Sequence, residues 1–177
     1  TPIYAVLAFA VIAREAGVQV VLNAAPAQAL PEELLRSVDV LIVNEGELAT
    51  VTGHSGSVAE CLVLLDVPCV VVTLGARGCC ARQGDAYFLQ PGFKVQAVDT
   101  TAAGDTFSGV LVAALSRGEA LPAALSLASA ASALTCTGLG AQSSIPAAAE
   151  VRALLRDPAA AHSAHAVAAL AAYCGTG

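Results

Sequence analysis

The stretch Ala97–Leu115, "AVDTTAAGDTFSGVLVAAL", decides how the rest of the chain is read. A β-like run ends on Asp99, two threonines and three very small residues follow, and Asp105 stands where a helical apolar pattern begins. Ala102, Ala103 and Gly104 have side chains too small to block close approach, so the N–H groups opening the helix can face an anion directly. Such a helix end carries roughly half a positive charge and unpaired donors. Asp105, in the first turn, either stabilises the helix end, the usual role of an aspartate there, or acts as a base on a nucleophile approaching a bound phosphate.

Working outward, the segments before this stretch alternate between helix and strand. The opening run "IYAVLAFAVIA" has no basic residue before it and Arg14-Glu15 after it, so it reads as a buried helix stopped by Gly17 rather than as a signal-peptide core. "VQVVLN" and "VPCVVVTLG" are continuous apolar runs of the kind found in strands buried on both faces, and "DVLIVNE" is a third strand. Between them lie "PEELLRSV", a helical piece ending near Gly53, and another from about Val58 to Leu65. This alternation predicts an α/β fold with a mostly parallel sheet and helices on both faces. "GCCARQGDAYFLQPG" reads as two short strands around Gly84-Asp85, and the alternation in "FKVQAVD" as an edge or antiparallel strand. After Gly104 the chain is mostly helical, and its last residues form an alanine-rich tail.

In open α/β sheets ligands collect beyond the carboxyl ends of the strands. Polar residues fall at four expected ends: Asn23, Asn44 with Glu47, Thr73 with Gly75, and Asp99.

Composition narrows the functional classes. Of 177 residues, 56% are hydrophobic and 12% charged, but the apolar excess is mainly alanine, and the longest charge-free interval is broken by Pro122, Gly138, Gly140 and Pro146. No membrane span is expected. Eight basic against fourteen acidic side chains give a net charge of -6 with no Lys/Arg cluster, which disfavours nucleic acid as a partner. A small phosphate ligand must then be held by backbone N–H groups, helix ends and a metal. The six cysteines contain no C-x-x-C pair, and five lie in apolar surroundings, as reduced core thiols do. His162 and His165 have no cysteine or carboxylate cluster beside them, and no metal role is read for them. A dinucleotide-binding oxidoreductase is disfavoured because no G-x-G-x-x-G follows an expected strand.

Taken together, the motifs resemble the ribokinase family of ATP-dependent sugar kinases, the phosphofructokinase-B superfamily. "DTTAAGDTF" is similar to that family's C-terminal signature, "NEGE" to its N-x-x-E element, "TLGARG" to its nucleotide loop, and "GAQSSIP" to a following cation and nucleotide loop. "NAAPAQALPEELL" is similar to a segment typical of ribokinases. The resemblance runs in order from Thr1 to about Arg156. It implies a three-layer α/β/α sandwich over residues 1–156, followed by a tail over 157–177. The family's N-terminal part, with its Gly-Gly-rich sugar-binding segment and β lid, has no counterpart in the chain.

By that resemblance Asp105 is the general base on the sugar's primary hydroxyl, and the N–H groups of Ala102, Ala103 and Gly104 stabilise the transferred γ-phosphoryl. Asn44 and Glu47 lie near the phosphates, with Glu47 placing Mg²⁺ through water. Thr73, Gly75, Arg77 and Gly78 border the nucleotide; Arg77 read alone is equally a solvated surface charge. Ser129 occupies the position of an adenine-proximal asparagine, and Ala103 stands where many members have glycine. A monovalent cation, K⁺, is implied beside the anion hole. Its ligands would be the Asp99 carboxylate, the Ser144 hydroxyl and the carbonyls of Thr101, Thr135, Gly138 and Gly140, a hard-oxygen set. A glycine-rich turn without an ion is the alternative.

The implied activity is transfer of the γ-phosphoryl of ATP to the 5-hydroxyl of D-ribose in the cytoplasm, with a homodimer as an open possibility for the full-length protein. The alternatives are another sugar or nucleoside kinase of the same family, such as a fructokinase, or a truncated chain that binds nucleotide without catalysis.

Overall fold

The computed structural model describes residues 2–177. Its strands form one five-stranded sheet in the order β1-β2-β3-β4-β5: Val21–Asn23, Val40–Asn44, Cys69–Thr73, Gly78–Gln83 and Ala86–Pro91. β1 runs parallel to β2, and β2 to β3, with Asn44 opposite Thr73 in register. β4 and β5 are joined by Gly84-Asp85 alone, a link that only antiparallel neighbours can use. The helices are α1 (Ile3–Glu15), α2 (Glu32–Arg36), α3 (Glu45–Thr52), α4 (Val58–Leu62), α5 (Ala103–Ser116), α6 (Leu121–Thr135), α7 (Ala148–Arg156) and α8 (Ala164–Cys174). The expected α/β fold is present. No described helix is long and apolar enough to cross a membrane.

The chain divides into two compact units. The first holds the chain as far as Thr73, with Cys80–Tyr87 and Ala172–Gly177. Its core is β-branched and leucine-rich: Leu34, Val38, Leu41, Val43, Leu48, Leu62 and Val70–Val72 are fully or almost fully buried. The connection after α4 is held by Arg82, whose guanidinium donates to the carbonyls of Leu62, Leu65 and Val67 at 3.2, 2.6 and 3.3 Å.

The second unit, Leu74–Cys79 with Phe88–Ala171, is built on helix packing. Phe107, Leu111 and Ala114 of α5 and Leu121, Ala124, Leu125, Ala128, Ala130 and Ala131 of α6 are buried. Small side chains at such a contact set a short interaxial distance. Two polar links fix the start of α5 against α6. The Ser132 hydroxyl donates to the Ala103 carbonyl at 2.9 Å, and the buried Thr135 hydroxyl lies 3.1 Å from that of Thr106.

Three expectations are corrected. α1 is not a buried helix: only Ala10 is buried along it, while Tyr4, Phe9 and Ile12 are 73%, 75% and 65% exposed. "VQVVLN" shortens to a three-residue edge strand whose residues are half-buried or exposed, because β1 has a neighbour on one side only. "FKVQAVD" forms no strand, so Asp99 does not sit at a strand end. The amides of Val98 and Asp99 instead share one acceptor, the Cys136 carbonyl, at 2.7 and 3.2 Å. Alternation was a weak signal there because it requires a partner strand, and none lies beside this stretch among the described residues.

All six cysteines are free, and every one except Cys136 is buried, as expected of core thiols. Burial pushes the Cys69 thiol up to about 11, only partly opposed by the Arg82 charge, which leaves it inert.

Candidate functional site

In the first unit, the polar residues at the carboxyl ends of β2 and β3 form one group. Asn44 closes β2 and caps α3: its Oδ1 accepts from the Glu47 N–H at 2.9 Å, while Glu47 Oε2 accepts from the Asn44 N–H at 2.8 Å. This reciprocal capping box satisfies two backbone donors with the helix's own side chains. Glu47 is only 7% exposed, and its second oxygen, Oε1, has no hydrogen-bond partner among the described residues. Beside this pair the Thr73 hydroxyl donates to the Val43 carbonyl at 3.4 Å.

In the second unit, Gly75–Arg77 form a 3₁₀ turn leading into β4. Gly75 is left-handed, with φ of 58°. Gly78, with φ of 109°, admits no other residue: an added Cβ would lie 2.0 Å from the Gln90 carbonyl oxygen and 2.5 Å from the Gly92 nitrogen. Gly92 answers from the other side, where a Cβ would lie 2.2 Å from the Ala76 carbonyl oxygen. Two backbones therefore touch here without side chains between them. The sequence reading missed Gly92, because its need for glycine comes from a loop distant in sequence.

The start of α5 differs from that of α3. Its cap is Ala102, the one described non-glycine residue at positive φ (61°), and no side chain accepts from the helix. The Ala102 carbonyl takes the Thr106 N–H at 2.8 Å, and the Ala103 N–H donates to the Thr100 carbonyl at 3.2 Å. Ala103 thus departs from the expectation that all three amides are open. The N–H groups of Ala102, Gly104 and Asp105 have no acceptor among the described residues. Gly104 and Asp105 are exposed, and the Asp105 carboxylate has no hydrogen-bond or ionic partner among the described residues. It stands in the first turn with amides that find no acceptor among the described residues.

Asp99 anchors the loop leading into this helix. One carboxylate oxygen accepts from the Thr101 hydroxyl at 2.6 Å and the Thr101 N–H at 2.9 Å; the other accepts from the Gly140 N–H at 3.1 Å. These donors, those of Thr101 foremost, hold the carboxyl below the usual aspartate range. Most of the remaining expected cation ligands are linked by contact: Ser144 donates to the Gly140 carbonyl, Gly138 lies close against Ser144, where an added Cβ would sit 3.2 Å from the Ser144 Cβ, and the Gly138 N–H donates to the Thr135 carbonyl at 3.3 Å. The donor set is entirely oxygen: a carboxylate held ionised, a hydroxyl, and carbonyls that each keep a second lone pair. It fits a hard cation such as K⁺.

Ser129 meets the residue that follows Gly78. It is 7% exposed, with its hydroxyl 3.7 Å from the Cys79 sulfur inside the unit.

The second unit also carries an open pocket of about 490 Å³, bordered by Phe93, Lys94, Leu154, Asp157, His162 and Ser163 among others. The rings of Phe93 and His162 pack at 4.6 Å, and His162 Nε2 is buried without a partner. The sequence offered no sign of this pairing, since nothing in an alanine-rich tail shows where it folds back.

With this geometry in place, comparison with known proteins is decisive for the family. Residues 3–148 match the model of the pfkB family carbohydrate kinases. The chain belongs to that family. Among pfkB relatives it is 44% identical over 154 residues to a ribokinase of Haemophilus influenzae, covering 82% of this chain and 50% of that one. Among solved structures it is similar to the ribokinase of Thermotoga maritima, with a TM-score of 0.75 and 38% identity over 84% of this chain and 52% of that one. It is also similar to the Arabidopsis thaliana ribokinase complexed with ribose and ATP, with a TM-score of 0.80 and 34% identity over 88% and 53% of the two chains. The chain spans about half the length of the curated relatives it matches. The fold of these ribokinases is matched over most of this chain, which covers about half of each of them.

Proposed function

We propose that this chain is the nucleotide-binding and base-carrying part of an ATP-dependent sugar kinase that phosphorylates D-ribose at its 5-hydroxyl. The observation that carries the reading is the open end of α5: three amides without acceptors beside an exposed, unpartnered carboxylate. Family membership and the ribokinases among the relatives support the choice of reaction and of sugar.

In the proposed step the Asp105 carboxylate accepts the proton of the ribose 5-hydroxyl. The 5-oxygen forms a bond to the γ-phosphorus, the bond from that phosphorus to the bridging oxygen breaks, and ADP leaves with the electron pair. The amides of Ala102, Gly104 and Asp105 donate to the γ-phosphoryl oxygens as charge gathers on them, and they need no reorganisation to do so. Ala103 contributes a small side chain rather than its N–H. Asn44 and Glu47 would form the phosphate and metal element, with Glu47 helping to hold Mg²⁺ through water. Mg²⁺ when bound neutralises charge across the β- and γ-phosphates. Thr73, Gly75, Arg77 and Gly78 border the nucleotide, where glycine lets backbone approach the ligand closely. Ser129, being buried, has the least surface to offer adenine. K⁺ held by Asp99, Thr101, Thr135, Gly138, Gly140 and Ser144 would fix the two loops that flank the anion site.

On this reading the full-length enzyme acts in the cytoplasm on small molecules, with no nucleic acid or membrane partner, and a homodimer is an open possibility for it. An ADP-release assay on a protein that joins this chain to a sugar-binding half, run against a panel of sugars with and without K⁺, tests it. Ribose should give the highest kcat/KM, and replacing K⁺ with a large organic cation should lower the rate. A preference for fructose or a nucleoside would move the reading to another kinase of the family, and no ATP turnover with any sugar would overturn it.

A further inference from the structure

One hydroxyl of α6 reaches the open end of α5. The hydroxyls of Thr50, Thr52 and Thr135 turn back on their own helices, donating to the carbonyls of Gly46, Leu48 and Ala131, four residues earlier, at 2.9, 2.8 and 3.0 Å. Ser132 does not. Its hydroxyl crosses to α5 and donates to the Ala103 carbonyl at 2.9 Å, the one bond it makes among the described residues. Both residues belong to the second unit, on helices packed directly against each other.

The Ala103 carbonyl and the Gly104 N–H are the two ends of one planar peptide group, and in a trans peptide they point in opposite directions. A tilt of the plane at one end therefore re-aims the other. The Gly104 N–H is among the amides of this helix end that find no acceptor among the described residues. Gly104 has no side chain to hold the plane, and nothing beyond its immediate helical surroundings lies within 4 Å of where a Cβ would be, so the support comes from the carbonyl side. Donation to the carbonyl oxygen also polarises the peptide group and makes its N–H a stronger donor, as along any chain of hydrogen bonds. We propose that Ser132 is a positioning residue for the transferred phosphoryl group: its hydroxyl, on the Ala103 oxygen, sets the direction and strength of the Gly104 N–H. The inference rests on the proposed anion role of that helix end.

The test is amide-resolved NMR of the ¹⁵N-labelled 177-residue chain, free and titrated with Mg·ATP, for the wild type, Ser132→Ala, Ser132→Thr and Thr106→Val, with the Tm of each. Thr106→Val is the control for helix packing, since it removes the other polar link between α5 and α6, the hydroxyl pair with Thr135. In Ser132→Ala the Gly104 signal should shift in the free chain, and Mg·ATP should bind about fivefold more weakly, as for the loss of one hydrogen bond. Ser132→Thr, which keeps a hydroxyl at that position, should restore both. Thr106→Val should lower the Tm and leave the affinity near that of the wild type. Wild-type affinity and an unmoved Gly104 signal in Ser132→Ala overturn the inference while leaving the nucleotide site intact. A loss of affinity that Thr106→Val reproduces, with an equal fall in Tm, overturns it in favour of helix packing alone. A wild-type chain that binds no Mg·ATP, or binds it without moving the Gly104 signal, overturns both this inference and the reading beneath it.

Discussion

Two helices in this protein begin just after a polar or acidic turn, and they treat their first amides in opposite ways. At α3 the donors are answered from within, Asn44 and Glu47 each accepting from the other's backbone. At α5 the cap is an alanine in a left-handed conformation with nothing to offer, and three amides remain open beside a free carboxylate. The first arrangement is complete without a ligand. The second leaves donors unmet at an exposed helix end, where water or an anion must serve them, and it keeps an alanine where the backbone favours glycine. An acidic residue near a helix start therefore does not by itself mark a site. What distinguishes the two ends is whether the chain's own side chains close them.

The largest test of that contrast is Asp105→Asn in a protein that joins this chain to a sugar-binding half. Because the Asp105 carboxylate holds no partner among the described residues, turnover should fall by about 10²- to 10⁴-fold with ATP affinity and Tm nearly unchanged. Near-normal ribose phosphorylation would remove the proposed base. Asn44→Ala, by contrast, should lower stability along with any effect on nucleotide binding, because Asn44 caps α3. Losing a cap costs about 1 kcal/mol of stability, so the Tm should drop measurably even without ligand. A Tm unchanged by Asn44→Ala would mean that the closed end is not closed by its cap.

A smaller effect is expected from acid. The Asp99 carboxyl is held below its ordinary value of 3.8 by donors from Thr101 and Gly140, so the unfolded chain takes up that proton first. Its contribution is full above 3.8 and is lost as pH falls through the lower folded value. Amide exchange at Thr101 and Gly140 should quicken over that window, and Asp99→Asn should show the fast exchange at neutral pH. Identical exchange in the variant would show that Asp99 does not tie the two loops.

Much of this was legible in the residues because it depends on local rules. Continuous apolar runs gave β2 and β3, Gly84-Asp85 gave the hairpin, and the small residues before Asp105 gave the open helix end. What was not legible depends on partners distant in the chain. "FKVQAVD" alternates like a strand yet has no strand beside it, and the opening helix looked buried because composition does not reveal which face is covered. The need for glycine at 92 arises from Ala76, and Tyr173 meets Glu45 only because the tail folds back. The Ala103 amide was counted as open because its acceptor, the Thr100 carbonyl, is a detail of turn geometry rather than of residue type.

The most direct measurement is an amide-resolved NMR titration of the ¹⁵N-labelled chain with Mg·ATP. The account predicts that the N–H signals of Ala102, Gly104 and Asp105 move most within α5, and that Ala103, already bonded to Thr100, moves less. Saturation with nucleotide while those three signals stay in place would contradict the claim that this helix end is the phosphate seat.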